Sequence, residues 1–342
     1  MQRHFFLSGP GLYREELSDT GESFLWPFSQ ALAATVSLAN IRGQRRAAEA
    51  TIAEQLSGLE RYLTSAVPNA IAATESLTSL PHYTATTAAA GLIGTSFYDD
   101  NDWVGIELAR IREQTGSAGA LALAQQIMTF EMDGWVSSPG EPCPGGIPHS
   151  DAPGDENRST ISTAPAAELA VQLYRITGNP GYLTFAETAY AWVRQCLLGP
   201  GGLYADHMES DGEVDPELWS YTQGVMMGAG ALLYQATGQN AYLEQAYATA
   251  QAAAAYFNLE RMAGENPFFV SVYVRNLLYL DWVLHSGAGR AIAQEYVNWA
   301  WESLREPDGL ILSSSGAPTV LLGQSGVVQI YALLATSPAT YF

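Results

Sequence analysis

Apolar residues recur at helical spacing along most of the chain, in alanine-rich segments such as "RRAAEATIAEQLSGLERYL" (45–63), "YLTFAETAYAWVRQCLL" (182–198) and "GRAIAQEYVNWAWESL" (289–304). Similar runs begin near Ser23, Asn101, Ala120, Ala164, Gln223, Tyr242, Phe268 and Ser325, which predicts about eleven or twelve helices. No alternation of strand and helix patterns supports a dinucleotide fold, and "GLIGTS" and "GPGG" read as turns rather than phosphate loops.

A phrase repeats within this pattern. "REQTGSAGALALAQQIMTF", "YRITGNPGYLTFAETAYAWV" and "YQATGQNAYLEQAYATAQAA" each close one helix at Thr-Gly, turn through polar residues and open the next; "LHSGAGRAIAQEYVNWAW" is a weaker copy. Gly116, Gly178 and Gly238 suit the left-handed residue that ends a helix, so each phrase is the turn of a helical hairpin. The turns lie about 60 residues apart, which implies about six hairpins that must stack to bury their apolar faces. Segments such as "QGVMMGAGALL" and "PAAELAVQL" are apolar nearly all round, as expected of an inner helix ring screened by an outer one. The two long polar segments, "SSPGEPCPGGIPHSDAPGDENRSTIST" and "GPGGLYADHMESDGEVDPELWS", exceed ordinary connections and should share the face opposite the short turns.

Composition narrows the chemistry. The 35 acidic residues outnumber 15 basic ones, every one an arginine, for a formal charge of -20. Without lysine there is no Schiff base and no phosphate-loop lysine, and the charge repels nucleic acid and anionic membranes. A neutral substrate fits this balance. No run approaches a membrane span, no export leader is visible, and the two cysteines, Cys143 and Cys196, read as a buried thiol and a loop thiol with one disulfide open to them. As written the chain is expected in the cytoplasm, or secreted after loss of a leader.

The stretch "FYDDNDWVG" (97–105) concentrates three aspartates between Phe97 and Trp103. Acids are favoured at a helix start, where the free amides and the dipole stabilise them. Asp99 and Asp100, however, are consecutive like charges in an aromatic setting, where repulsion and desolvation leave one ionised and one protonated. A retaining glycosidase requires that division, with carboxyls about 5 to 5.5 Å apart. Asp102, just inside the expected helix start, reads as a first-turn or capping acid.

The five histidines, His4, His82, His149, His207 and His285, show no helical metal spacing, and no metal or other cofactor is expected. His149 and His207 lie in the two long loops, where they could bind a polar ligand; the other three read as structural. The acidic loops lack a calcium ladder, and no G-x-S-x-G elbow appears. Trp26, Trp219 and Tyr221 stand at expected helix starts, where rings could stack on sugars.

These motifs together, "FYDDNDW", "GGI", "TISTAPAAELAVQLYRITG" and "LWSYTQGVMMGAGALLYQATG", resemble glycoside hydrolase family 76, the α-1,6-mannanases, along nearly the whole chain. The resemblance implies a single domain over residues 1–342 with an all-α (α/α)6 barrel, a monomer acting on α-mannan or α-manno-oligosaccharides without a metal. It makes Asp99 the nucleophile and Asp100 the general acid/base, with Trp26, Gln30, Tyr98, Trp103, Gly146, His149, His207, Trp219, Tyr221 and Gln223 around the substrate. Pro148 and His149 depart from the aromatic usual after "GGI", and Thr163 and Thr222 replace common asparagines, which could change the sugar hydroxyls that are read. The alternatives are a transglycosylase or a hydrolase of a related α-linked glycan, a histidine-dependent sugar epimerase of helical-barrel type, and an inactive carbohydrate-binding protein.

Overall fold

The computed structural model describes residues 1–64, 80–87, 95–138, 140–314 and 317–342, and the chain divides into two compact units. Most of "GLIGTS" lies outside the described residues.

One unit holds the described residues up to 64, then 83–87 and 257–341. Its helices include Leu25–Ala39, Arg45–Leu59, Pro267–Leu284, Ala288–Ser303 and Leu321–Ala335. Leu25–Ala39 is buried along nearly its whole length, whereas Arg45–Leu59 buries only Ala48, Ile52, Gln55, Gly58 and Leu59. In the weak hairpin copy the left-handed residue is not glycine: His285 takes that conformation at φ 54°, and the Asp281 carboxylate accepts the Gly289 amide at 2.7 Å.

The other unit holds 80–82, 95–256 and Phe342. Three hairpins make up most of it: Tyr98–Thr115 with Ala118–Asp133, Thr160–Thr177 with Pro180–Cys196, and Ser220–Thr237 with Asn240–Tyr256. The first helix of each pair is buried almost all round and the second on one face only, matching the expected alternation. Every Thr-Gly turn is built alike. Gly116, Gly178 and Gly238 sit at φ 76°, 72° and 72°, and their amides close the preceding helix on Arg112, Tyr174 and Tyr234. The threonine hydroxyls of Thr115, Thr177 and Thr237 donate to carbonyls four residues back and accept the amide two residues on, each at 3.2 Å.

The two long loops also meet as expected. Strands Arg158–Ser159, His207–Met208 and Val214–Asp215 form one antiparallel sheet at the starts of helices whose far ends carry the Thr-Gly turns. "GPGG" forms a turn closed by Gly199 and Leu203.

The three buried helices begin at Tyr98, Thr160 and Ser220, three or four residues before the sequence pattern places them. Most of the added residues are polar yet buried, so hydrophobic periodicity is largely blind to them. At Gly178 an alanine would be held in a left-handed conformation, so Gly178→Ala should cost about 1–2 kcal/mol in urea unfolding. An unchanged midpoint would show that the turn does not depend on its backbone.

Candidate active site

Phe97, extended at φ -94° and ψ 136°, leads into the helix Tyr98–Thr115 without a side-chain cap. The entry is held by neighbouring chain instead. The Ser96 amide donates to Asp151 Oδ1 at 2.9 Å, the Asp151 amide to the Ser96 carbonyl at 3.0 Å, and the Tyr98 amide to the His149 carbonyl at 3.2 Å. Tyr98 stacks on Phe130 at 4.4 Å, and any side chain at Gly134 would strike its ring. His82 also stacks on Phe130, at 4.3 Å, and its Nε2 lies 3.4 Å from Asp151. The first turn is therefore clamped on a packed support.

Asp99 and Asp100 stand in that turn; Asp100 is 5% exposed and Asp99 more open. Burial raises Asp99 above the ordinary carboxyl value, against the opposing charge of His149 and the free amides of Asp99 and Asp100, while Asp206 adds to the rise. Asp100 is raised well above that value by burial and then by the Asp99 charge. The rise is the greater at Asp100, so Asp99 is the more readily ionised of the two.

Asp102 is a correction. It is fully buried in the second turn and caps nothing; burial, Asp99 and Glu168 raise it well above its ordinary value, with slight opposition from the Ala166 amide. Glu131, from the helix Ala118–Asp133, is likewise fully buried and raised well above its ordinary value by burial, Asp102 and Asp99.

A polar cavity of about 220 Å3 is lined by His149, Asp155, Asn157, Ser159, Ile161, Asp206, His207 and Tyr221. His207 Nδ1 lies 2.8 Å from Asp206 and Nε2 3.1 Å from Glu209. Burial alone would lower the imidazole's pKa, but the two carboxylates outweigh it and the net direction is up. Of the expected residues, His149, His207 and Tyr221 come together here. Asp155, Asn157 and Asp206 were missed; their signal was their place in the two long loops whose strands pair.

The remaining expected contacts are not among the residues lining this cavity. Trp103 is 3% exposed on the helix interior. Gly146, at φ 83°, is packed where a side chain would meet Trp192. Gln223 is fully buried, bonded to both backbone groups of Tyr204, to the Trp219 carbonyl and to Thr222, so it supports the wall. Trp219 precedes that helix and is half-buried. Trp26 and Gln30 belong to the first unit, where Trp26 packs on Phe268 and Phe269 and Gln30 accepts from Gln329 at 3.1 Å. Thr163 and Thr222 are fully buried and serve the scaffold: Thr163 accepts the Ile147 amide at 3.0 Å, and Thr222 donates to the Trp219 carbonyl at 2.8 Å.

The loop carrying His149 is gripped from behind. The buried Arg158 guanidinium donates to the carbonyls of Pro142, Cys143 and Gly145 at 2.7 to 3.0 Å, and Trp192 donates to Cys143 at 2.9 Å. Cys143 and Cys196 form a disulfide rather than two separate thiols, with Cα atoms 6.3 Å apart. A larger cleft of about 780 Å3 is bounded by Leu197, Pro200, Leu203, Val214, Pro216 and Tyr256. That apolar lining offers no carboxyl for acid–base chemistry, so the smaller polar cavity is the candidate site.

Two stability tests follow from this geometry. Closing a loop of 53 residues is worth about 4 kcal/mol in the chain-entropy account, so reduction or Cys196→Ser should lower the urea midpoint; an unmoved midpoint would contradict it. The raised carboxyls make the folded state hold protons that the unfolded chain releases above the ordinary carboxyl range. Stability is therefore lost as pH climbs from that range towards the raised values. Glu131→Gln should flatten this fall, gaining more Tm at mildly alkaline than at mildly acidic pH; equal shifts would refute it.

Comparison with known proteins adds the family. A family model described as glycosyl hydrolase family 76 matches residues 13–268. The Candida glabrata mannan endo-1,6-alpha-mannosidase DCW1 is 29% identical over 111 residues, 31% of this chain and 25% of that protein. Saccharomyces cerevisiae DFG5, of the same description, is 30% identical over 131 residues, 36% of this chain and 28% of that protein. The matched segments thus span about a quarter of these curated relatives. Among solved structures, the family 76 mannosidase Bt3792 from Bacteroides thetaiotaomicron has a TM-score of 0.84 at 20% identity, covering 98% of this chain and 94% of that one. An α-1,6-mannanase, GH76A of Salegentibacter, inactive with two consecutive aspartates changed to asparagine and in complex with α-1,6-mannotriose, has a TM-score of 0.80 at 19% identity. It covers 98% of this chain and 95% of that one. The shared fold is the all-α (α/α)6 class expected from the sequence.

Proposed function

This chain belongs to glycosyl hydrolase family 76, and on that premise we propose that it hydrolyses α-1,6-mannosidic linkages in mannan or manno-oligosaccharides with retention of configuration. The observation that carries the reading is the pair Asp99 and Asp100: consecutive carboxyls at one helix start, one inclined to ionise and the other to stay protonated. The descriptions of the fungal relatives, and the inactive Salegentibacter variant altered at two consecutive aspartates, support the same substrate and the same pair. The family match runs through parts of both units, which supports the chain acting as one catalytic domain.

In the proposed reaction the ionised Asp99 attacks the anomeric carbon as Asp100 passes its proton to the leaving oxygen, giving a covalent glycosyl-enzyme and a shortened glycan. Water then attacks the same carbon, Asp100 takes back a proton, and Asp99 leaves as a carboxylate. His207, with both ring nitrogens engaged by Asp206 and Glu209, orients these carboxylates, and Asp206 and Asp155 are the acceptors for sugar hydroxyls. Because Thr163 and Thr222 are consumed by the scaffold, selectivity among sugar hydroxyls is assigned to these loop residues instead.

The test is incubation with α-1,6-mannan and α-1,6-manno-oligosaccharides, with product sizing and anomer analysis by NMR. Shorter products appearing first as the α-anomer are expected. Asp99→Asn and Asp100→Asn should each cut kcat by about 10^3-fold or more with folding retained. Inverted products, an isomerised sugar with no bond cleaved, binding without turnover, or full activity in both variants would overturn the reading. Longer products from an acceptor sugar would make it a transglycosylase.

A further inference from the structure

The catalytic assignment leaves three fully buried carboxyls unexplained: Asp102, Glu131 and Glu168. They come from three helices that meet closely. A side chain at Gly105 would strike Leu169 at 2.5 Å and Ile127 at 3.1 Å, and these lie one turn after Asp102, beside Glu168 and one turn before Glu131. Among the described residues, neither oxygen of Asp102 nor of Glu131 is at hydrogen-bond geometry with a partner.

The charged groups facing this cluster are mostly acidic. Its own helix supplies Asp99 and Asp100, and then Glu107 and Arg110, which pair with each other at 2.6 Å. The helix Ala118–Asp133 supplies Glu131, with Asp133 at its end, and the helix Thr160–Thr177 supplies Glu168. Tyr98 and the His82–Asp151 pair flank the helix entry, and His149 and Asp206 act on Asp99 from the cavity side. Among the described residues no three acidic, histidine or cysteine side chains converge well enough to hold a cation. Burial and the mutual repulsion of these carboxyls favour their protonated forms.

Resting on the reading of Asp99 as nucleophile, we infer that Asp102 and Glu131 are positioning residues, a proton-holding carboxyl couple that leaves the cluster's negative charge on Asp99. The arrangement is reciprocal. Ionised Asp99 holds protons on Asp100, Asp102 and Glu131, and those protons keep further like charge away from Asp99. Rising pH strips the couple as well as the acid Asp100, and because each proton lost makes the next harder to remove, the protons leave in separate steps over a broad pH range. When Asp99 is esterified in the glycosyl-enzyme, the charge that retained those protons is gone, and Asp100 is freer to act as base.

Two readouts test this. The infrared C=O stretch of protonated carboxyls in the substrate-free protein should persist at neutral pH and lose intensity in Asp102→Asn, Glu131→Gln and the double variant. Equal intensity in parent and variants would overturn the inference. Disappearance of the parent's band well below neutral pH would do so without any variant, should the variants fail to fold. In the kinetic test, the alkaline limb of kcat/KM should be spread over a wider pH range in the parent than in Glu131→Gln; identical limbs would count against the couple. The infrared experiment needs no substrate, so its failure is separate from failure of the mannanase reading.

Discussion

Several carboxyls in one dry space cannot all be charged, and the second unit is arranged around that limit. Asp100, Asp102 and Glu131 are held where water cannot screen them, with the more open Asp99 beside them, and their mutual repulsion favours charge where it is best supported. We assign that place to Asp99, the least buried of the four, on which His149 and the free helix amides act. The same stretch that could have been an ordinary acidic helix start becomes a candidate site because its partners arrive from other helices. Exposed to solvent, those acids would titrate independently and differ little from one another.

Holding such a cluster requires rigid walls, because a small outward movement would hydrate it. The walls are built mainly from backbone contacts. Arg158 spends its donors on three loop carbonyls, Trp192 adds another, and the Cys143–Cys196 bond ties the same loop to the end of a helix. On the opposite strand Gln223 fixes Tyr204, two residues before Asp206. Scaffold and ligand-facing residues thus alternate along the loops, with the first kind locking backbone and the second lining the cavity.

This alternation explains what the sequence revealed and what it withheld. The hairpins were legible because the Thr-Gly turn is local: one hydroxyl, one left-handed glycine and one amide two residues on complete it. Asp99 and Asp100 were legible as a candidate pair, being sequence neighbours in an aromatic setting. Glu131 was not, since its burial depends on a helix crossing that no spacing encodes, and Asp102 looked like a capping acid only because the helix start was placed at Asn101. Trp103, Gly146 and Gln223 share the same difficulty from the other side. An aromatic, a glycine or an amide near a motif does not disclose whether it faces cavity or core, and here packing takes all three. Asp206 and Asp155 required knowing that two loops, distant in sequence, pair as strands.

The position of the acids also separates two uses of negative charge. The overall excess of -20 is spread over the chain, where salt screens it and it bears on solubility and on repelling anionic partners. The buried carboxyls work through desolvation and close approach, which salt screens far less. Changes in ionic strength should therefore act chiefly on encounter, and changes in pH chiefly on the protonation of the pair. A neutral glycan suits both conditions: it is not repelled at the surface, and it brings no charge into a space where one negative charge has already been placed.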